Sequence, residues 1–151
     1  MSVKKPKQIT PQDLCKTGKE HGEQSALICW TALPEVKERY PDAIKLFAIN
    51  NNVGHGEKKN AIGARRGQMA RMSGTKAGVY DLFLPVARHG FHGLFIEMKV
   101  RSLKPKTARN QKGGCSDAQI AFGKQVVSDG FASCVCYGWE EATQALMHYL
   151  S

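Results

Sequence analysis

An α/β fold is what this chain predicts: a mixed β-sheet flanked by helices, with elements in the order α-β-β-β-α-β-α. Three observations lead there. Short runs at 79–84, 93–100 and 132–137 carry strand-like apolar character, the first two with period-two alternation. Segments at 20–38, 116–128 and 139–150 carry helical spacing or helix-start signals. The strand, helix, strand passage at 93–137 forms a crossover if its strands are parallel, which puts helices over the sheet. With 151 residues, the chain has the size of one domain and can bury a core of its own.

Residues 1–17 read as a basic, flexible N-terminal arm, and 18–151 as the single domain. The first helix runs from about Glu20 to Glu38, with Glu23, Ala26, Leu27, Trp30 and Leu33 at helical spacing and Pro34 as a break or kink. Ala43 to Ile49 reads as the first strand. A long polar connection, 50–77, follows. Val79–Leu84 and Gly93–Val100 read as a hairpin across PVARHGFH. At Ser116 the S-x-x-Q pattern opens a helix with a capping box, and Gly130 closes it. ASCVCY at 132–137 is a short strand, and Trp139–Leu150 a final helix with Ala142, Ala145, Leu146 and Tyr149 on one face.

Composition removes several classes. No apolar run approaches the ~20 residues of a membrane span, and the N-terminus lacks a signal-peptide core. These features predict an intracellular, cytoplasmic protein without a membrane partner. The five cysteines are odd in number and lack paired C-x-x-C spacing, so they read as reduced, mostly buried thiols.

The net charge of +9 is concentrated. Residues 51–77 hold Lys58, Lys59, Arg65, Arg66, Arg71 and Lys76 against Glu57, and residues 101–114 hold Arg101, Lys104, Lys106, Arg109 and Lys112 with no acid. Each segment is net +5, leaving −1 for the rest. Both read as basic loops on a near-neutral scaffold, the footprint of a polyanion binder, with solvated surface as the plain alternative.

Acids interrupt two apolar strands. In GLFIEMKV, Leu94, Ile96, Met98 and Val100 share one face and Phe95, Glu97 and Lys99 the other. In GVYDLFL, Tyr80, Leu82 and Leu84 oppose Val79, Asp81 and Phe83. A hairpin centred on His89 sets Asp81 opposite Glu97, where two carboxylates repel. A divalent cation such as Mg²⁺ or Mn²⁺ relieves that repulsion, using Asp81, Glu97 and the Met98 carbonyl as ligands. Lys99 then faces the attacking water or the charge developing on phosphorus. His55, His89 and His92 lack a convincing partner set and read as turn or phosphate-contacting residues.

Asp81 followed by Glu97-x-Lys99 resembles the D…(D/E)xK pattern of the PD-(D/E)xK nucleases, and more closely their virus-type replication-repair branch, the VRR-NUC domains. The likeness covers about residues 20–150. It implies a restriction-endonuclease-like core and a catalytic set of Glu23, Asp81, Glu97, Lys99 and Gln119. Glu20, one turn earlier, is the alternative helix carboxylate, and Gln119 also fits a purely capping role. Tyr80 stands where the superfamily's name places proline, and the basic insertion after Lys99 lengthens the path to Gln119. The resemblance further implies a Mg²⁺- or Mn²⁺-dependent endonuclease acting on DNA, with branched or junction DNA cut by a homodimer, as in Holliday-junction resolvases. A small domain of this type fits a phage or mobile-element gene. A catalytically silent nucleic-acid-binding module and a sequence-specific restriction-type enzyme are the competing readings.

Overall fold

The structure, a computed structural model, describes residues 8–50, 61–107 and 112–151. A four-stranded mixed sheet in the order β1-β2-β3-β4 carries the fold: Phe47–Ala48, Leu82–Leu84, Leu94–Lys99 and Ala132–Tyr137. β1, β2 and β3 pair antiparallel, and β4 runs parallel to β3. Six helices accompany the sheet among the described residues: α1 (Pro11–Cys15), α2 (Glu20–Thr31), α3 (Pro34–Arg39), α4 (Ala61–Met72), α5 (Asp117–Ser128) and α6 (Trp139–Leu150).

Strand alternation divides the interior into two layers. Leu82, Leu84, Leu94, Ile96, Met98 and Cys136 point to one face, where Ala26 and Leu27 of α2 and Trp139, Ala142, Leu146 and Tyr149 of α6 close the main core. The other face is aromatic. Phe83 stacks on Phe95 at 4.4 Å between ring centroids, and Phe122 and Phe131 meet Phe95 edge-on. α5, which carries Phe122, connects β3 to its parallel neighbour β4.

Several elements differ from the sequence reading for local reasons. The chain is helical within the N-terminal arm: Thr10 and Asp13 form a capping box that starts α1, and α1 packs on α2. Gly22 permits that contact, since a Cβ there would collide with the Thr17 hydroxyl and the Leu14 carbonyl. Pro34 starts a separate helix, where proline loses no hydrogen bond. The expected strand at 43–49 is mostly a 3₁₀ turn at Pro41–Lys45, leaving β1 only two residues long. Within 50–77, residues 61–72 form α4 rather than loop. Tyr80 precedes β2 and escapes its alternation, packing on Phe122 at 5.3 Å in the aromatic layer. The hairpin is as read: His89 and Gly90 take positive φ in the turn, and Leu82 pairs with Ile96.

Candidate active site

Extending the β2–β3 pairing by one residue sets Asp81 against Glu97. Asp81 Oδ2 accepts the Met98 N–H at 2.9 Å, tying the first carboxylate to the backbone beside the second. Glu97 and Lys99 leave β3 on the aromatic side, beyond Phe95, where the first turn of α5 meets the sheet. Lys99 Nζ lies 2.8 Å from Glu97 Oε1 and 3.5 Å from Glu20 Oε1.

Gln119 performs two tasks. Its Oε1 accepts the Ser116 N–H at 2.9 Å, completing the capping box of α5, while its Nε2 donates to Glu97 Oε1. The side chain therefore fixes the helix start and the carboxylate together. Gly78 allows the neighbouring loop to approach: its φ is +81°, and a Cβ would collide with the Ala118 carbonyl.

Glu97 is only 1% exposed, and its Oε2 has no hydrogen-bond partner. An ionised oxygen in that state is costly. Burial, reinforced by the charge of Asp81, pushes the Glu97 pKa up to about 7, despite the opposing Lys99 contact. Burial also raises the Asp81 carboxyl above its ordinary range, against the Met98 hydrogen bond and the Lys99 charge. Burial disfavours the Lys99 ammonium, but Glu97 and Glu20 outweigh it and hold that pKa above the usual lysine value. The site thus contains an uncompensated demand for positive charge at Glu97 Oε2.

A cleft of about 860 Å³ opens over these groups. Glu20, Asp81, Glu97, Lys99 and Gln119 line it, with Arg71 of α4 and Lys76 on its wall. Glu23 does not. Its Oε2 accepts the Trp139 N–H at 2.8 Å, capping α6, and its Oε1 lies 3.7 Å from Arg101. Glu20 is the α2 carboxylate that reaches Lys99.

The two basic segments also part company. Arg65 and Arg66 are exposed on α4, and Arg71 and Lys76 border the cleft. Arg101 instead pairs with Glu140, Lys104 with Glu141 at 2.9 Å, and Lys112 with Asp117 at 2.9 Å. Lys106 is exposed; Lys58, Lys59, Arg109 and His55 lie outside the described residues. His89 forms the hairpin turn, and His92 packs edge-on against Phe131. The five thiols are free, yet only Cys136 is buried. Among the described residues no helix is long and apolar enough to cross a membrane.

The donor set fits a hard divalent cation of the Mg²⁺ type, which binds through one or two carboxylates and completes its shell with water and substrate phosphate. Among the described residues no three His, Cys, Asp or Glu side chains form an all-protein metal cage. Asp81 with the orphaned Glu97 oxygen is instead an open, two-carboxylate arrangement.

Sheet order and flanking helices together define a mixed α/β fold. A solved structure described as "VRR_NUC domain protein" has this fold, with a TM-score of 0.62 at 21% identity over 87% of this chain and 88% of the other. No protein-family model matches the chain, and no curated protein matches it in sequence.

Proposed function

We propose that the protein is a metal-dependent endonuclease that hydrolyses DNA phosphodiester bonds, acting on branched DNA as a homodimer. One observation carries the reading: a fully buried glutamate with an unpartnered oxygen, beside a second carboxylate and a buried lysine at the floor of a cleft with basic walls. Asp81 and Glu97, with the Met98 carbonyl, would hold Mg²⁺ or Mn²⁺. When bound, the cation supplies Lewis-acid activation of the phosphodiester.

The chain's own residues do the remaining work. Gln119 holds Glu97 Oε1 and leaves Oε2 to face the ligand. Lys99, charged and turned into the cleft, orients water or neutralises the developing phosphorane. Glu20, within reach of Lys99, adds to Glu97 in keeping that ammonium charged and takes the helix-carboxylate role in place of Glu23. Arg71 and Lys76 hold the sugar-phosphate backbone by charge, which gives affinity without base specificity.

The test is cleavage of a labelled four-way junction beside linear duplex and flap controls, in Mn²⁺ or EDTA, with wild type and Glu97→Ala. Metal-dependent cutting lost in the variant supports the nuclease, and paired symmetric nicks support the dimeric resolvase. Binding by both proteins without cutting would leave a silent binding module. A fixed recognition sequence among the products would favour the restriction-type enzyme.

A further inference from the structure

Among the described residues, no other helix or strand packs extensively on α4, which lies beside the cleft. At about 3.6 residues per turn, Gly63, Gly67 and Ala70 share one face, and Gly67 and Ala70 line the cleft. The opposite face carries Ile62, Arg65, Met69 and Met72. These three apolar side chains are 63%, 68% and 80% exposed, an unusual outlay for one 12-residue helix.

Charge selects the occupant of that face. Residues 61–77 hold Arg65, Arg66, Arg71 and Lys76 and no acid. A second copy of the helix would set Arg65 near its equivalent with no carboxylate on either helix to offset it. Nucleic acid has the opposite pattern: phosphates for the arginines, and base faces for Ile and Met wherever stacking is broken.

Resting on the nuclease reading above, we infer that α4 is a wedge: its small-residue face lines the channel for the strand to be cut, and its apolar face packs on unstacked bases at a branch point. This gives selection of branched DNA a physical basis, because a continuous duplex offers no open base face.

The test uses the full chain in EDTA with a four-way junction carrying 2-aminopurine at its centre, comparing wild type, the triple variant Ile62→Gln/Met69→Gln/Met72→Gln, and a conservative Ile62→Leu/Met69→Leu/Met72→Leu. Glutamine keeps the helix propensity of methionine while removing the apolar surface. Wild type and the Leu variant should raise 2-aminopurine fluorescence. The Gln variant should lose that rise and bind the junction about tenfold more weakly, as expected when contacts to one or two bases are lost, with duplex affinity changed less than twofold. An unchanged fluorescence rise in the Gln variant overturns the wedge while leaving the nuclease intact. A lower mass by sedimentation for the Gln variant overturns it in favour of an interface between copies. Failure of wild type to bind any DNA overturns the nuclease reading itself.

Discussion

Glu97→Gln should make the metal-free protein more stable at alkaline pH while abolishing the proposed cleavage activity. Burial raises the folded-state pKa from an ordinary 4.5 to about 7. Between those values the folded protein binds more protons at this site than the unfolded chain does. Stability from the neutral carboxyl is therefore fully present below pH ~4.5 and lost as pH rises through ~7. A shift of that size corresponds to about 3 kcal/mol, or roughly 6–12 °C in Tm for a chain of this length. Glutamine mimics the neutral acid and can still accept from Lys99 and Gln119, so it escapes the penalty. Thermal denaturation in EDTA at pH 5 and pH 8 measures the difference. The Gln variant should melt above wild type at pH 8, the two should converge toward pH 5, and millimolar Mg²⁺ or Mn²⁺ at pH 8 should narrow the gap by stabilising wild type alone. A variant less stable than wild type at pH 8, or a gap independent of pH, would refute the claim that Glu97 is strained by burial.

The two α2 carboxylates should separate stability from chemistry. Glu23→Ala strands the Trp139 N–H and should cost about 1–3 kcal/mol with cleavage changed only a few-fold, whereas Glu20→Ala should leave the Tm nearly unchanged and lower cleavage at least tenfold; the reverse pattern would restore Glu23 to the site. Salt dependence should separate the basic segments. Arg71→Ala/Lys76→Ala should reduce the slope of log K against log[salt] by about 2, while Arg101→Ala/Lys104→Ala should leave the slope intact and lower stability by about 1 kcal/mol. Gly78→Ala, which forces a side chain into positive φ against the Ala118 carbonyl, should destabilise by about 2 kcal/mol or more. A Tm within a degree of wild type would show that the loop relaxes away from α5.

The sheet was readable because its pattern is local. Alternation through 93–100 and the capping box at Ser116 depend on neighbours within a few residues, and β3 and α5 form where those signals lie. The hairpin register followed from one assumption about the turn, and the pairing of Leu82 with Ile96 agrees with it. The misreadings occurred where local composition was ambiguous. AIKLFAI is apolar enough for a strand, yet Pro41 begins a 3₁₀ turn that consumes its first half. The two glycines in AIGARRGQMARM disguise a helix, since each is unfavourable in a helix interior by about 1 kcal/mol.

Site residues divide along the same line. Asp81, Glu97 and Lys99 reach the cleft because strand period and hairpin register are enough to carry them there. Glu23 is different. It belongs to the stripe of α2 that faces the core, and the family resemblance made it the helix carboxylate of the set. What spacing lacks is the position of α6, whose first N–H groups need an acceptor and receive no side-chain cap from Gly138. Glu23 fills that need. Glu20, on the preceding turn and half exposed, is left free to extend along the cleft floor to Lys99. The same long-range packing sets Arg101 and Lys104 beside the acids at the start of α6, which offset part of their charge. The count of charges in a segment is visible in sequence, whereas the charge it can offer a ligand depends on which acids the fold brings alongside.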